Sequence, residues 1–454
     1  MIKLHIYSVI LFSFIYSSSL ELYGTGQRIH EIEAMGMALG NSYFFSDHSS
    51  EFNTVSIATL WRSDLTRITF SSKFSSNIGG LSDKNINISS FSFLFPVAKT
   101  KVVSIGLVPY TRSNIRLIEE GGFNFSQNSS EFIDSPLNSH SEYKFFGGIS
   151  NLYTSFSMEV NKNNSFGFKL NSLFGNQIKM NKIIVSTFET SFDETTESSD
   201  YSLIEQDSTS KVILNQFSGY SLQFDWNTYV NKHQFGASVS IMGPVSVNFK
   251  KYYNIYSISD PLDRYFLMDY SYLYMESGDD LLSYDPDYSI QIEDDVDAMT
   301  LFSNIFNRIN DYKLGYHYND NDIGFIIEFH RTDLFKNYSL QVDDVSILNN
   351  QQPSTTSYHL GLYKRYDNSN ANFFNGINLR AGGYYRSYAL ENGTATDLAL
   401  TLGMGVGLNN YSNLIDLGLK IGKINNSIFD DENYIKGNLS INIGEKWFTR
   451  SRRK

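Results

Sequence analysis

A chain of 454 residues with a net charge of −12 suffices for one large domain or two smaller ones, and its acidity excludes a surface built for nucleic acid, whose phosphates demand a basic face. Aromatic residues make up 15% of it, with 7 prolines and no cysteine, which removes disulfide scaffolds, thiol nucleophiles and thiolate metal sites. Mean hydropathy is −0.27 and no long apolar stretch follows the first residues, so spanning helices are excluded and only a closed barrel could carry the chain through a bilayer.

Lys3 and His5 precede an apolar run from Ile6 to Tyr16 and then Ser17, Ser18 and Ser19, the layout of a cleaved secretory signal peptide. The run falls short of the roughly 20 apolar residues a spanning helix needs. Residues 1–19 are therefore read as the signal, with the mature chain starting near Leu20. Residues 20–55 are rich in small residues and do not alternate cleanly. Ile29, Ile32, Met35, Met37 and Leu39 make this stretch too apolar for a solvated tail, and it is expected to fold back into the interior as a hatch.

From 56 to 449 a period of two dominates, the mark of strands with two unlike faces. In the third strand, Gly106 contributes no side chain and Pro109 cannot donate a ladder hydrogen bond, so the strand either kinks there or ends at the membrane surface. Asp260 to Asp297 is dense in carboxylates with Arg264 as its only basic residue, a large solvated or loosely cation-bridged loop. Beyond it, Leu398, Leu400, Leu402, Met404, Val406 and Leu408 alternate with Ala399, Thr401 and three glycines. Ile415, Leu417, Leu419 and Ile421 oppose Asp416, Gly418, Lys420 and Gly422, and Ile435, Leu439, Ile441, Ile443 and Trp447 share the face of the last strand. Arg450, Arg452, Arg453 and Lys454 form a basic tail, read as solvated in the periplasm beside anionic headgroups.

Such stretches run about 10 residues or more, the length a tilted strand needs to cross a bilayer, where soluble strands have about 5 or 6. Tyr and Phe cluster at their ends as headgroup-level girdles do. Short turns fit at Pro96–Lys101, Asn161–Asn164, Val230–His233, Asn319–Asp322, Asp367–Asn372 and Asn409–Ser412, alternating with long connections at Thr111–Glu142, Met180–Lys211, Phe249–Asn310 and Phe335–Ser354. The reading is an all-β transmembrane antiparallel barrel of about fourteen strands, both termini periplasmic.

The N-terminal stretch resembles that of FadL-type outer-membrane transporters, which carry a Gly/Ala-rich segment ending in Asn-Pro-Ala. The matching residues are Gly36, Met37, Ala38, Gly40 and Asn53, with Thr54 and Val55 standing where the family has Pro and Ala. Ser104 to Ile115 is similar to the family's third strand, and the stretch from Leu379 to the end to its closing strands. The resemblance implies a fourteen-stranded barrel with the N-terminal hatch inside it and passive passage of a hydrophobic small molecule toward a lateral opening at the kinked strand.

With apolar faces toward lipid, Arg67, Glu328, His330, His359, Arg365, Arg380, Arg386, Asp416 and Lys420 point into the lumen. There they either pair across strands or, the arginines above all, read a ligand carboxylate. No Gly-x-Ser-x-Gly elbow is present and no histidine forms a local motif with a serine, so no catalytic site or cofactor is expected. Asp285, Asp287 and Ser289 alternate like calcium ligands, yet Ile290 stands where an EF-hand needs glycine and Val296 where it needs a bidentate acid, so no metal site is expected. Two functions remain: a monomeric uptake channel among outer-membrane lipid and lipopolysaccharide, or a structural or secretion-associated barrel whose outer loops bind a protein or surface polymer.

Overall fold

The computed structural model describes residues 19–22, 26–45, 55–78, 85–123, 137–193, 198–257, 288–290, 309–320, 323–333, 353–365, 377–390, 393–408, 413–427 and 431–446. Most of the signal stretch, Asn53, the basic tail and nearly all of the acidic stretch 260–297 lie outside them.

A 3-10 turn at Ser19–Leu22 opens the described chain, followed by a short strand β1 (Gln27–Arg28), a single helix α1 (Ala34–Ala38) and a second 3-10 turn at Ile57–Arg62. Strands then succeed one another: β2 (Thr66–Ile78), β3 (Asn85–Ala98), β4 (Lys101–Pro109), β5 (Thr111–Phe123), β6 (Leu137–Asn161), β7 (Asn164–Asp193), β8 (Ser198–Val230) and β9 (His233–Ser257). After β10 (Tyr288–Ile290) come β11 (Ile309–Asp320), β12 (Ile323–Thr332), β13 (Ser354–Lys364), β14 (Ile377–Leu390), β15 (Gly393–Leu408), β16 (Asn413–Asn426) and β17 (Glu432–Glu445). Each wall strand pairs antiparallel with its neighbours, β9 with β11 across the loop and β17 with β2 to close the ring. With β4 and β5 taken as one interrupted strand, and β1 and β10 set apart, fourteen strands form a closed barrel.

Closure follows from the two-residue period. In β15, Leu398, Leu400 and Leu402 are 59–73% exposed on the outer surface while Asp397, Ala399 and Thr401 are buried on the inner one. A soluble protein could not tolerate so large an apolar exterior, whereas lipid covers it without cost. The tight turns are Lys99–Thr100, Lys162–Asn163 and Asn231–Lys232; Asn231 takes a left-handed φ of 56°.

The expected loops at Thr111–Glu142 and Met180–Lys211 are corrected by the ladders. β5 and β6 pair from Ser113↔Gly147 to Phe123↔Leu137, and β7 and β8 from Asn164↔Thr228 to Asp193↔Ser198. β7 and β8 are thus 30 and 33 residues long, about three times what a bilayer crossing requires. Backbone donors and acceptors still favour pairing beyond the bilayer, but no apolar row is needed there. β10 adds to this tall region by pairing with β9.

Candidate functional site: the N-terminal segment and the interrupted strand

The N-terminal segment packs against the inner face of the wall. All of α1 is buried, and Met35, Leu39 and Phe45 cluster with Ile326 and Tyr363 of the barrel. Each such side chain withdrawn from water contributes about 1.5–3 kcal/mol. Polar anchors fix the register. The Ala34 amide donates to Ser440 Oγ at 2.8 Å, the Gly40 amide to Thr401 Oγ1 at 3.0 Å, and Thr401 in turn to the Ala38 carbonyl at 3.0 Å. Gly40 has φ +70°, and a Cβ there would collide with the Leu360 and Gly383 carbonyls, so the segment comes this close only with glycine.

Glu328 is the strongest anchor. Its carboxylate accepts from Ser42 Oγ (2.8 Å) and from the Tyr43 (2.7 Å) and Phe44 (2.8 Å) amides, with His330 Nε2 at 2.7 Å. Asp225 similarly accepts from Tyr43 Oη at 2.7 Å and the Ile57 amide at 2.9 Å. The segment supplies charges of its own. Glu31 pairs with Lys73 at 2.9 Å and with Lys420, and Arg28 pairs with Asp311 at 2.8 Å. Burial alone would raise the Glu31 pKa, but Lys420 and Lys73 hold it well below the usual carboxylate range.

At β4 and β5 the wall is interrupted. β4 is paired on both sides, to β3 up to Phe91↔Leu107 and to β6 up to Pro109↔Ser150; past Tyr110, β5 pairs with β6 and with β1 but not with β3. β1 lies beside the break, Gln27↔Arg112 and Arg28↔Thr111, and the Ile29 amide donates to the Tyr110 carbonyl at 3.1 Å. Gly106 sits within the regular part of the ladder, where its missing side chain makes room for the Tyr153 ring, and Pro109 is the last residue before the step. The step itself is accommodated on the neighbouring strand: Gly148 has φ +147°, and a Cβ there would collide with the Thr111 carbonyl. Gly147–Gly148, adjacent glycines inside a strand, are a signal for a bulge that the reading of the sequence did not use.

The lumen candidates are placed as follows. Arg67, Arg380, Arg386 and Lys420 are buried on the inner face, and Arg365 is half-buried. Arg67 Nε donates to Ser63 Oγ at 3.2 Å, Arg380 pairs with Asp416 at 2.6 Å, and Arg386 lies 3.8 Å from Asp397. They do not converge on one point, and Lys420 binds both Glu31 of the N-terminal segment and, at 2.9 Å, the Tyr384 hydroxyl of β14. Gly36, Met37 and Ala38 are in α1. Residues the sequence reading did not single out are Glu31, Tyr43 and Lys169, which carry no local motif.

Two cavities flank β1, both touching Arg28, Ile29 and Pro109. One of about 100 Å³ lies inside, between the segment and β6–β8; the other, about 150 Å³, opens beside the break and is lined by Lys73, Asn87, Ser89, Arg112 and Lys436. A third recess of about 560 Å³, lined by Leu362, Leu379, Leu402 and Met404, is on the lipid-facing surface and not in the lumen. Among the described residues no three His, Asp or Glu side chains are grouped to hold a metal ion.

A closed antiparallel wall with an apolar exterior and a polar interior defines a transmembrane β-barrel. No family model matches the chain and no curated protein matches it. Among solved structures, the CymD monoaromatic hydrocarbon channel aligns with a TM-score of 0.51 at 11% identity, over 92% of this chain and 98% of that one. The P. putida toluene transporter TodX (TM-score 0.47, 10% identity, 94% and 100% covered) and a Pseudomonas aeruginosa FadL homologue (0.46, 11%, 90% and 97%) are also similar. The fold shared with CymD is the closed antiparallel barrel anticipated from the sequence.

Proposed function

We propose that this protein is an outer-membrane channel for passive uptake of hydrophobic small molecules, captured from outside and released sideways where β5 leaves β3. The observation that carries the reading is the interruption at Tyr110, with the ladder from β3 stopping at Leu107 and β1 set against β5. The likeness in fold to CymD, a monoaromatic hydrocarbon channel, supports it. In this reading residues 1–19 are a cleaved signal, 20–55 a plug, 56–449 the barrel and 450–454 a periplasmic tail, the whole a monomer surrounded by lipid and lipopolysaccharide. Diffusion down a gradient calls for no energy source and no catalytic step.

The test uses liposomes holding the purified protein and an apolar probe such as toluene, with uptake faster than in empty liposomes expected. Gln27→Cys with Arg112→Cys joins two directly paired residues in a chain that has no other cysteine. Oxidation should slow uptake several-fold and a reductant restore it; equal rates in both states would sink the lateral route. The tall β7–β8 hairpin supports a second reading, in which the outer region binds a protein or surface polymer. Deleting residues 181–210 would then abolish partner capture while uptake persists.

A further inference from the structure

The lipid-facing recess of about 560 Å³ has its origin in β14. The outward positions of that strand run Ile377, Leu379, Ala381, Gly383 and Tyr385, so two small residues follow one another where the neighbouring strands carry leucine. Ladder register sets Ala381 between Leu362 of β13 and Leu402 of β15, and Gly383 between Leu360 and Leu400. These four leucines are 50–73% exposed, and they stand as two walls of a furrow whose floor is Ala381. A space of this volume falls within the roughly 300–1,000 Å³ typical of ligand sites.

The furrow is apolar with a charge at one end. Lys364, the last residue of β13, is exposed on the same outer face as Leu360 and Leu362 and lines the recess. Its ladder partner is Ile323, the first residue of β12, which puts it at the end of the barrel where β11 turns into β12, opposite the top of the tall β7–β8 hairpin. Arg380, the other cation on the lining, is turned inward and paired with Asp416 at 2.6 Å. An ammonium therefore stands at headgroup level over a groove that runs into the hydrocarbon, the complement of a lipid phosphate joined to its acyl chain.

Behind the furrow the wall is a bare backbone. Gly382 faces inward between two outward-facing small residues, and a Cβ on it would collide with the Gly40 nitrogen; one on Gly403 would collide with the Ala38 side chain. Residues 38–40 of the N-terminal segment thus rest on a layer of main chain whose other surface is the furrow. Side chains that would stiffen this part of the wall are missing from both of its faces.

We infer that the furrow is a binding site for one anionic phospholipid, its acyl chain laid along Ala381 and its phosphate on Lys364, and that the bound lipid braces the wall on which the N-terminal segment is docked. The inference goes beyond the channel reading and holds whatever solute passes through the lumen. Within hydrocarbon an acyl chain gains packing contacts rather than a hydrophobic driving force, so the furrow selects by shape and Lys364 by headgroup charge.

Native mass spectrometry of the detergent-solubilised full chain, stripped of co-purified lipid and titrated with phosphatidylglycerol or with phosphatidylcholine of the same acyl chains, tests this. One phosphatidylglycerol is expected to bind ahead of any others, about fivefold tighter than phosphatidylcholine, the worth of one lysine beside an anionic headgroup. Ala381→Phe fills the furrow from the lipid side and should weaken both lipids, whereas Lys364→Gln should lower phosphatidylglycerol to the level of phosphatidylcholine and leave the latter unchanged. Both variants alter outward side chains, and resistance to SDS checks that the barrel is intact. Leu152→Phe, on the lipid-facing surface of β6, should change neither affinity. Phosphatidylglycerol should also raise amide-exchange protection at Met37 in the unaltered chain but not in Ala381→Phe. Several lipids bound with equal affinity and indifferent to Ala381→Phe would mean annular lipid only and overturn the site; tight binding with Met37 protection unmoved would overturn the bracing.

Discussion

The two sides of the barrel hold the N-terminal segment by different means. Along β12–β17 the contacts are side-chain anchors spread over many strands: Glu328 on β12, Thr401 on β15, Lys420 on β16 and Ser440 on β17. At the break, the contacts are a two-residue backbone pairing between β1 and β5, the Ile29 amide on the Tyr110 carbonyl and Glu21 on the Asn114 amide, with a cavity on either side of β1. The difference teaches how one short segment can be both fixed and yielding. Several buried hydrogen bonds to charged groups must be lost before α1 moves, whereas β1 can part from β5 at the cost of few bonds.

The largest effect should come from breaking the firm side. Glu328→Leu removes the acceptor for Ser42 and for the amides of Tyr43 and Phe44, leaving two buried backbone donors unsatisfied. Docking of residues 40–45 should weaken by about 3–5 kcal/mol, each orphaned donor costing roughly 1–3 kcal/mol. Amide hydrogen exchange would show protection lost at Tyr43 and Phe44; unchanged protection would erase the contrast between the two sides. The yielding side is probed by Gly148→Val, which sets a branched side chain into φ +147° and against the Thr111 carbonyl. A cost of about 2–3 kcal/mol is expected, focused on β5. Protection should fall at the Ile29 amide, bonded to Tyr110, and persist at the Met37 amide, bonded within α1 to Glu33. Equal losses at both would show that the segment moves as one body.

The same contrast governs what could be read from sequence. Where lipid meets the wall, the apolar row is obligatory, so the alternation of β15, β16 and β17 was legible in the sequence. Above the bilayer that requirement lapses, and the upper parts of β5–β8 read as loops although their backbones pair throughout. The interruption was half legible. Pro109 marks its strand, but the step falls one residue later and depends on Gly148, 39 positions away on β6. Glu31 and Lys420 are 389 positions apart, and nothing local in the sequence around either announces the other.

The smallest expected effect concerns a single carboxyl on the yielding side. Glu21, in the 3-10 turn Ser19–Leu22, accepts from the Asn114 amide of β5 at 2.6 Å, and Ser113 Oγ donates to its carbonyl at 3.1 Å. Burial pushes its pKa up to about 7, against the opposing pull of the Asn114 amide and of Lys436, Arg112 and Lys73. Between its ordinary value of 4.5 and about 7, the released segment gives up its proton while the docked one keeps it. The docked state then binds more protons, so docking weakens as pH rises through this window. Glu31 has the opposite sign and a different window: its depressed value stabilises docking at neutral pH, and that contribution is lost only as pH falls below the usual carboxylate range. The Ile29 amide protection factor, in which the intrinsic pH dependence of exchange is divided out, should therefore decline from pH 5 to pH 7.5. Glu21→Gln should flatten that decline without changing protection at Met37. A slope that survives in Glu21→Gln would assign the dependence to another group, and a slope shared by Met37 would mean that the firm and yielding sides titrate together.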